Sequence, residues 1–474
     1  MQLVDKREAI ADLVHEKSIE ILNEVGFCVP HLPTLNRLAS AGFIVDTETQ
    51  MVRIPPDLFQ EALGHIPQNV QLYDRAGEKP TQFGTFSHFM GAGTPVNVFD
   101  LKSGIRRSAT RQDVRQLVSI QDALTQVDIV RPTVTATDYG EPSDLVEIAE
   151  LLRNTTKPVV HRTLAPERVE AAVEMLITVA GSEEAMRSRP HMGTVYCPVS
   201  PGYFTPENVQ CMLQWAEHGV PITLLSMAMG GASAPATLLG ELLVINADLL
   251  AWIIVLQTLY PGTPLLYGSV SAVLDMRTGI LPLGSPERGM INSGAAIMGA
   301  HYKMPSMCGG LSSDAKQLDA QAGYEKAITA MPLLLEGASI IYGVGATDAG
   351  STISYTEMIL DNELIGGLRR TIQGIDLHDI EEEVALIKAN TPRGNFLKER
   401  HTRINYKNHW EPQILSREAY ETWFERGDTI ETLCRQKAIE TLDQHQPERL
   451  LASTEAELER ILRRFLGQDF HFEP

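Results

Sequence analysis

Residues 309–316 read Gly309-Gly310-Leu311-Ser312-Ser313-Asp314-Ala315-Lys316, and Asp319, Gln321, Gly323, Glu325 and Lys326 follow closely. Two hydroxyls, an acid and an amine stand beside glycine backbone. They occupy a junction between an apolar run (304–308) and a helix-forming segment (317–335). Loops at the carboxyl ends of strands converge on one mouth in an α/β barrel, so this is where such a fold places its chemistry. A structural reading stands beside this one: Asp314 and Lys316 as an ion pair that stiffens the loop. Ser285 likewise reads as a helix N-cap, with Pro286 at the first helical position and Glu287 in the first turn.

Other chemistries find less support. Gly91-Ala92-Gly93 and Gly343-Val344-Gly345 do not complete the Gly-x-Gly-x-x-Gly of a dinucleotide or adenosyl cofactor loop. Glycines there let strand ends turn or let a ligand approach the backbone. His161, His191 and His301 fall on separate elements, as do Cys197 and Cys308, so no spacing supports zinc and no metal is expected.

The elements that must hold these groups alternate regularly. Apolar or β-branched runs at 127–137, 158–164, 191–199, 221–229, 264–273, 304–308 and 338–344 are separated by helical stretches such as 206–218, 236–259, 286–301, 320–335 and 355–372. That alternation predicts a parallel α/β architecture, of TIM (β/α)8 type, with a doubly wound sheet as the rival. Seven runs leave a closed barrel one strand short. The eighth comes from 89–99 or from 383–396. Three regions follow: a helical and mixed α/β amino-terminal region (1–124), a barrel core (125–374) and a helical carboxyl-terminal region (375–474) that packs on the barrel or on a neighbouring subunit.

The segment 309–316 also resembles the corresponding part of the trimethylamine methyltransferase family, whose founding members carry pyrrolysine immediately before Ser-Asp-Ala-Lys. Ser312 holds that place here. The resemblance extends through Thr156-Lys157-Pro158 with His161, Cys197-Pro198-x-Ser200-Pro201, residues 225–229, Tyr267-Gly268-Ser269, Gly284-Ser285-Pro286-Glu287, Tyr342-Gly343 and Asp361-Asn362, in order over most of 150–375. It implies a barrel methyltransferase that hands a methyl group to cobalamin carried by a separate corrinoid protein, with no tightly bound cofactor of its own. Pyrrolysine offers an electrophilic imine and serine offers none, which points to a quaternary amine as methyl donor. Glycine betaine leads as substrate. Another donor on the same fold (proline betaine, carnitine, a tertiary amine or a sulfonium) and a non-catalytic betaine-binding protein are the alternatives.

Within that reading Ser312, Asp314 and Lys316 are the catalytic candidates. A trimethylammonium group has no hydrogen-bond donor and is held by aromatic faces, which makes Tyr196, Tyr203, Phe204, Tyr267 and Tyr342 candidates for the pocket. His161 with Arg162, Gly310 and Leu311 are candidates for the rest of the substrate. Ser226, Met227 and Gly345 are candidates for the corrinoid-facing side.

Composition bounds the partners. Sixty acids against 40 bases give a net charge of −20, which argues against nucleic acid and anionic membrane. Five scattered cysteines favour reduced thiols in a cytoplasm. No signal peptide is expected in residues 1–16, and two acids within 238–259 argue against a membrane span. A homo-oligomer is expected.

Overall fold

The computed structural model describes residues 6–84, 86–377 and 380–472. At its centre is a parallel barrel. We number its strands β1 (His88–Gly91), β2 (residues 129–130), β3 (Val159–Val160), β4 (Met192–Tyr196), β5 (Ile222–Ser226), β6 (Leu265–Ser269), β7 (Ser306–Gly309) and β8 (Ile340–Val344). Strands β3 to β8 pair in sequence order and β8 pairs back onto β1. Parallel bridges Met90–Ile129 and Val130–Val159 insert β2 between β1 and β3 and close the ring. The eighth strand is therefore 88–91, the first of the two expected sources. The other source, 383–396, falls largely in a helix, Ile380–Asn390. A barrel strand thus begins before residue 125.

Each strand is followed by a helix: α1 (Arg111–Ala123), α2 (Ser143–Asn154), α3 (Val169–Ala180), α4 (Pro206–Glu217), α5 (Leu238–Leu259), α6 (Pro286–His301), α7 (Ala320–Leu335) and α8 (Tyr355–Gln373). The starts are chemically marked. Ser285 accepts a hydrogen bond from the Arg288 N–H, as its capping role requires, and Asp319 accepts from those of Gln321 and Ala322.

Two apolar layers result. One residue from each strand (Met90, Ile129, Val160, Val195, Leu225, Leu266, Met307 and Ile340) fills the barrel interior. The alternate residues, among them Tyr196, Leu224, Tyr267, Cys308 and Ile341, face the helices. Val70, just before the hairpin Gln71–Tyr73/Pro80–Gln82, and Leu72 within it join the interior cluster and plug the end where the strands begin. The opposite end is the mouth. Helix α5 is long and apolar enough to cross a membrane by composition, but 72% of its span is buried within the protein.

The chain ahead of the barrel forms a helix (Arg7–Glu24) and a small three-stranded sheet. Beyond α8, helix Ile430–Gln444 packs on α8 and α1, and Ala452–Leu466 packs on α3 and α2. From residue 371 at the end of α8 to residue 433, no described residue is buried.

Candidate functional site

The mouth is built from strand ends, so pleat parity decides what enters it. In parallel strands, register partners point to one side. Tyr342 pairs with Gly309, and both belong to the interior set. The Tyr342 ring is packed against the interior cluster, and its hydroxyl occupies the space a Cβ on Gly93 would need. The Arg131 Cζ sits 5.3 Å from the Tyr342 ring centroid. From β4 and β3 come Cys197 and Arg162. The nearby guanidiniums favour a thiolate, but burial dominates and pushes the Cys197 thiol up.

Arg288 enters from the first turn of α6. It donates to the Val270 carbonyl at 2.8 Å, and its other terminal nitrogen occupies the space a Cβ on Gly309 would need. Burial lowers its pKa to about 10. The mouth therefore carries Tyr342 between buried guanidinium groups. Neither Arg131 nor Arg288 stood among the sequence candidates, although both carry a signal. Arg131 interrupts an apolar strand run, and Arg288 puts a cation at the helix end where the macrodipole disfavours it.

The 309–316 segment wraps the ends of β7 and β8. Leu311 is buried with a φ of 50°, and Gly310 faces α7, against Leu333 and the Thr329 carbonyl. Ser312 is 2% exposed; its hydroxyl donates to the Gly310 carbonyl oxygen at 3.0 Å. The Asp314 carboxylate accepts from the N–H groups of Leu283 (2.7 Å) and Gly284 (3.1 Å), and burial raises its pKa. Lys316 is exposed and pairs at 3.1 Å with Asp348; toward Asp314 it donates to the backbone carbonyl, not to the carboxylate. The expected Asp314–Lys316 ion pair is replaced by two separate bracing contacts, because Asp314 turns inward to the loop before α6.

The remaining candidates divide by face. Tyr196 and Tyr267 lie on the helix side of their strands: the Tyr196 hydroxyl bonds Thr163, and the Tyr267 hydroxyl donates to the Asn246 side-chain oxygen at 2.9 Å. Phe204 packs at a tilt of 59° against Trp252, 4.8 Å between centroids, also outside the barrel. Tyr203 is bridged to Cys28 and Val199. Of the five aromatic candidates, the structure brings Tyr342 into the interior mouth cluster. His161 sits at the end of β3 with Nε2 2.8 Å from the Glu147 carboxylate. Ser226 is buried on the outer face of β5, whereas Met227 is 48% exposed at the mouth. The Gly345 N–H donates to Asp361 at 2.7 Å, and Asp361 forms a buried triad with Lys326 and Glu357. Among the described residues, no group of His, Cys, Asp and Glu side chains is arranged to hold a metal ion.

The profile of the trimethylamine methyltransferase family matches residues 1–465. A trimethylamine methyltransferase of Desulfitobacterium hafniense is 31% identical over 455 residues, covering 95% of this chain and 91% of that protein. A glycine betaine methyltransferase of Desulfitobacterium hafniense is 28% identical over 466 residues, covering 96% and 95%. A crystal structure of the monomethylamine methyltransferase of Methanosarcina barkeri aligns with a TM-score of 0.49 at 12% identity, covering 92% of each chain.

Proposed function

This chain belongs to the trimethylamine methyltransferase family and is an enzyme that transfers methyl groups, and from that premise we propose that its methyl donor is a quaternary amine and its acceptor the cob(I)alamin of a separate corrinoid protein. The observation that carries the reading is Ser312. It occupies the place of the pyrrolysine in the resemblance, and its hydroxyl, turned onto the Gly310 carbonyl, offers no electrophilic centre to an amine. A substrate that needs no such activation fits: a quaternary ammonium already carries the charge that makes a neutral amine its leaving group. The relative acting on glycine betaine favours that compound among quaternary amines.

Cob(I)alamin supplies the nucleophile. The carbon–nitrogen bond breaks with its electron pair left on nitrogen, so no proton has to move. What remains for this chain is to orient the amine in line with the acceptor and to exclude water. Exposed apolar side chains around the mouth support docking of a carrier there: Leu164, Val199, Met227, Met276 and Ile280 lie on the loops after β3, β4, β5 and β6. Met227 is proposed to face that carrier, and Tyr342 to contact the substrate. A homo-oligomer and a cytoplasmic location complete the proposal.

Purified protein, reduced corrinoid carrier and a panel of methylated amines test it by the absorbance of methylcobalamin. Transfer is expected from glycine betaine or another quaternary amine. Transfer from trimethylamine alone would refute the reading.

A further inference from the structure

The barrel mouth holds two buried cations without an anion. Arg131 is 5% exposed and Arg288 is 1% exposed. Among the described residues the Arg131 guanidinium makes no hydrogen bond or ion pair; its Nε is unsatisfied, and the group lies against the face of Tyr342. Arg288 has the single Val270 carbonyl, and its Nε too is unsatisfied. Half-buried Arg162 adds a third positive charge beside Arg131.

The acids nearby are engaged elsewhere. Glu147 serves His161 at 2.8 Å and the Ala136 N–H at 2.9 Å. Asp314 serves the N–H groups of Leu283 and Gly284. Neither reaches ion-pair distance of Arg131 or Arg288. A guanidinium taken out of water with no counter-charge is strongly unfavourable, and Arg288 is opposed in addition by the positive end of α6. Gly309 is shaped to the Arg288 group, so the arrangement is built and not incidental. Such a pair is stable once a ligand supplies the negative charge, and a planar fork of donors suits a carboxylate.

We propose that Arg131 and Arg288, with Arg162 beside them, form a carboxylate subsite, so that the methyl donor is a zwitterion carrying both an ammonium and a carboxylate. This deepens, and rests on, the quaternary-amine reading. It also sets the substrate's direction. The arginines attract the carboxylate and repel the ammonium, which leaves the methyl groups turned toward the opening where the acceptor arrives.

The test compares glycine betaine with tetramethylammonium, which has methyl groups and charge but no carboxylate. Both are assayed for transfer to the carrier and for thermal shift, in the wild type and in Arg131→Gln, Arg131→Lys and Arg288→Gln. The wild type should prefer glycine betaine. Each Gln variant should raise KM for glycine betaine about 10- to 100-fold, the loss of one charged hydrogen-bonded contact. It should leave kcat less affected and KM for tetramethylammonium unchanged or lower, with Arg131→Lys recovering part of the loss. The melting temperature of the ligand-free variants should hold or rise, since an unpaired buried charge is gone.

Equal use of both amines by the wild type would overturn the subsite and leave the quaternary-amine reading standing. Ligand-free variants that melt lower with KM unchanged would make the arginines structural and overturn it as well. So would an unchanged KM for glycine betaine with weakened binding of the corrinoid carrier, which would assign the charge to a phosphate of that cofactor. A betaine-induced thermal shift lost in the Gln variants, with no transfer from any quaternary amine, would keep the subsite and sink the functional reading.

Discussion

Among single residues, the members of 309–316 are held by different contacts and should respond unequally to substitution. Lys316 is 63% exposed and pairs across the surface with Asp348, so Lys316→Ala should cost no more than about 1 kcal/mol in urea unfolding. Asp314→Ala strips the acceptor from two N–H groups, and the loop ahead of α6 should lose about 1–3 kcal/mol. If Ser312 is only a spacer, Ser312→Ala keeps methyl transfer within about threefold, well under the cost of a lost general acid or base. Glu241 gives a pH-dependent case. It is buried in the first turn of α5 with no well-placed hydrogen-bond partner for its oxygens, and burial pushes its pKa from 4.5 to about 7 against weak compensation from the Gly230 N–H. Below pH 4.5 folded and unfolded forms are both protonated. As pH rises from 4.5 to 7 the unfolded form loses its proton first, so this group's contribution to stability falls and then levels off. Glu241→Gln should therefore gain melting temperature over the wild type progressively across that window. A gap of equal size at pH 5 and pH 8 would show that the carboxyl is not held protonated.

At the level of elements, the helix–strand alternation was legible because each barrel strand is an apolar run bounded by turns, and Ser285-Pro286 marked a helix start. Two things were hidden. Strand β2 is reduced to bridges at Ile129 and Val130, and β1 stands apart from the regular series, so the sequence pattern shows one strand too few for a closed ring. The face of each strand was also unreadable. Strands buried on both sides carry no polar alternation, so Tyr196, Tyr267 and Tyr342 look equivalent until register turns two outward and one inward. The same two-sided burial concealed the triad behind Gly345, where Lys326 is 0% exposed and meets Asp361 at 2.9 Å and Glu357 at 3.4 Å. It ties α7 to α8 and fixes the end of β8 through the Asp361 contact with the Gly345 N–H. Lys326→Met would leave two carboxyls buried without their cation and should destabilise by about 3–5 kcal/mol, read from denaturant unfolding. A loss below about 1 kcal/mol would mean both acids are already neutral in the folded protein.

For the whole molecule, the described residues between α8 and the last two helices form an arm in which none is buried. Leu377 is 99% exposed, Leu397 85%, and Tyr420 and Phe424 66% each. It is tethered at its middle: Trp410 lies against Gly366 and Gly367 of α8, and the Glu363 carboxylate accepts the N–H groups of Gln413, Ile414 and Leu415. Those contacts hold the arm in place without covering its apolar side chains. A chain with net charge −20 that leaves such a surface open gains by burying it, and a second copy of the same chain is always at hand with the same patch. The protein should therefore run in light-scattering chromatography at a multiple of its 52.3 kDa chain mass. Replacing Leu377, Leu397 and Phe424 together by Asp should return it to the monomer. The barrel should keep its melting temperature after removal of the subunit contact, because none of the three belongs to the buried core. A wild type that stays monomeric at tens of micromolar would assign the arm to a different protein, and the corrinoid carrier would then be the first to test by co-elution with the wild type and the Asp variant.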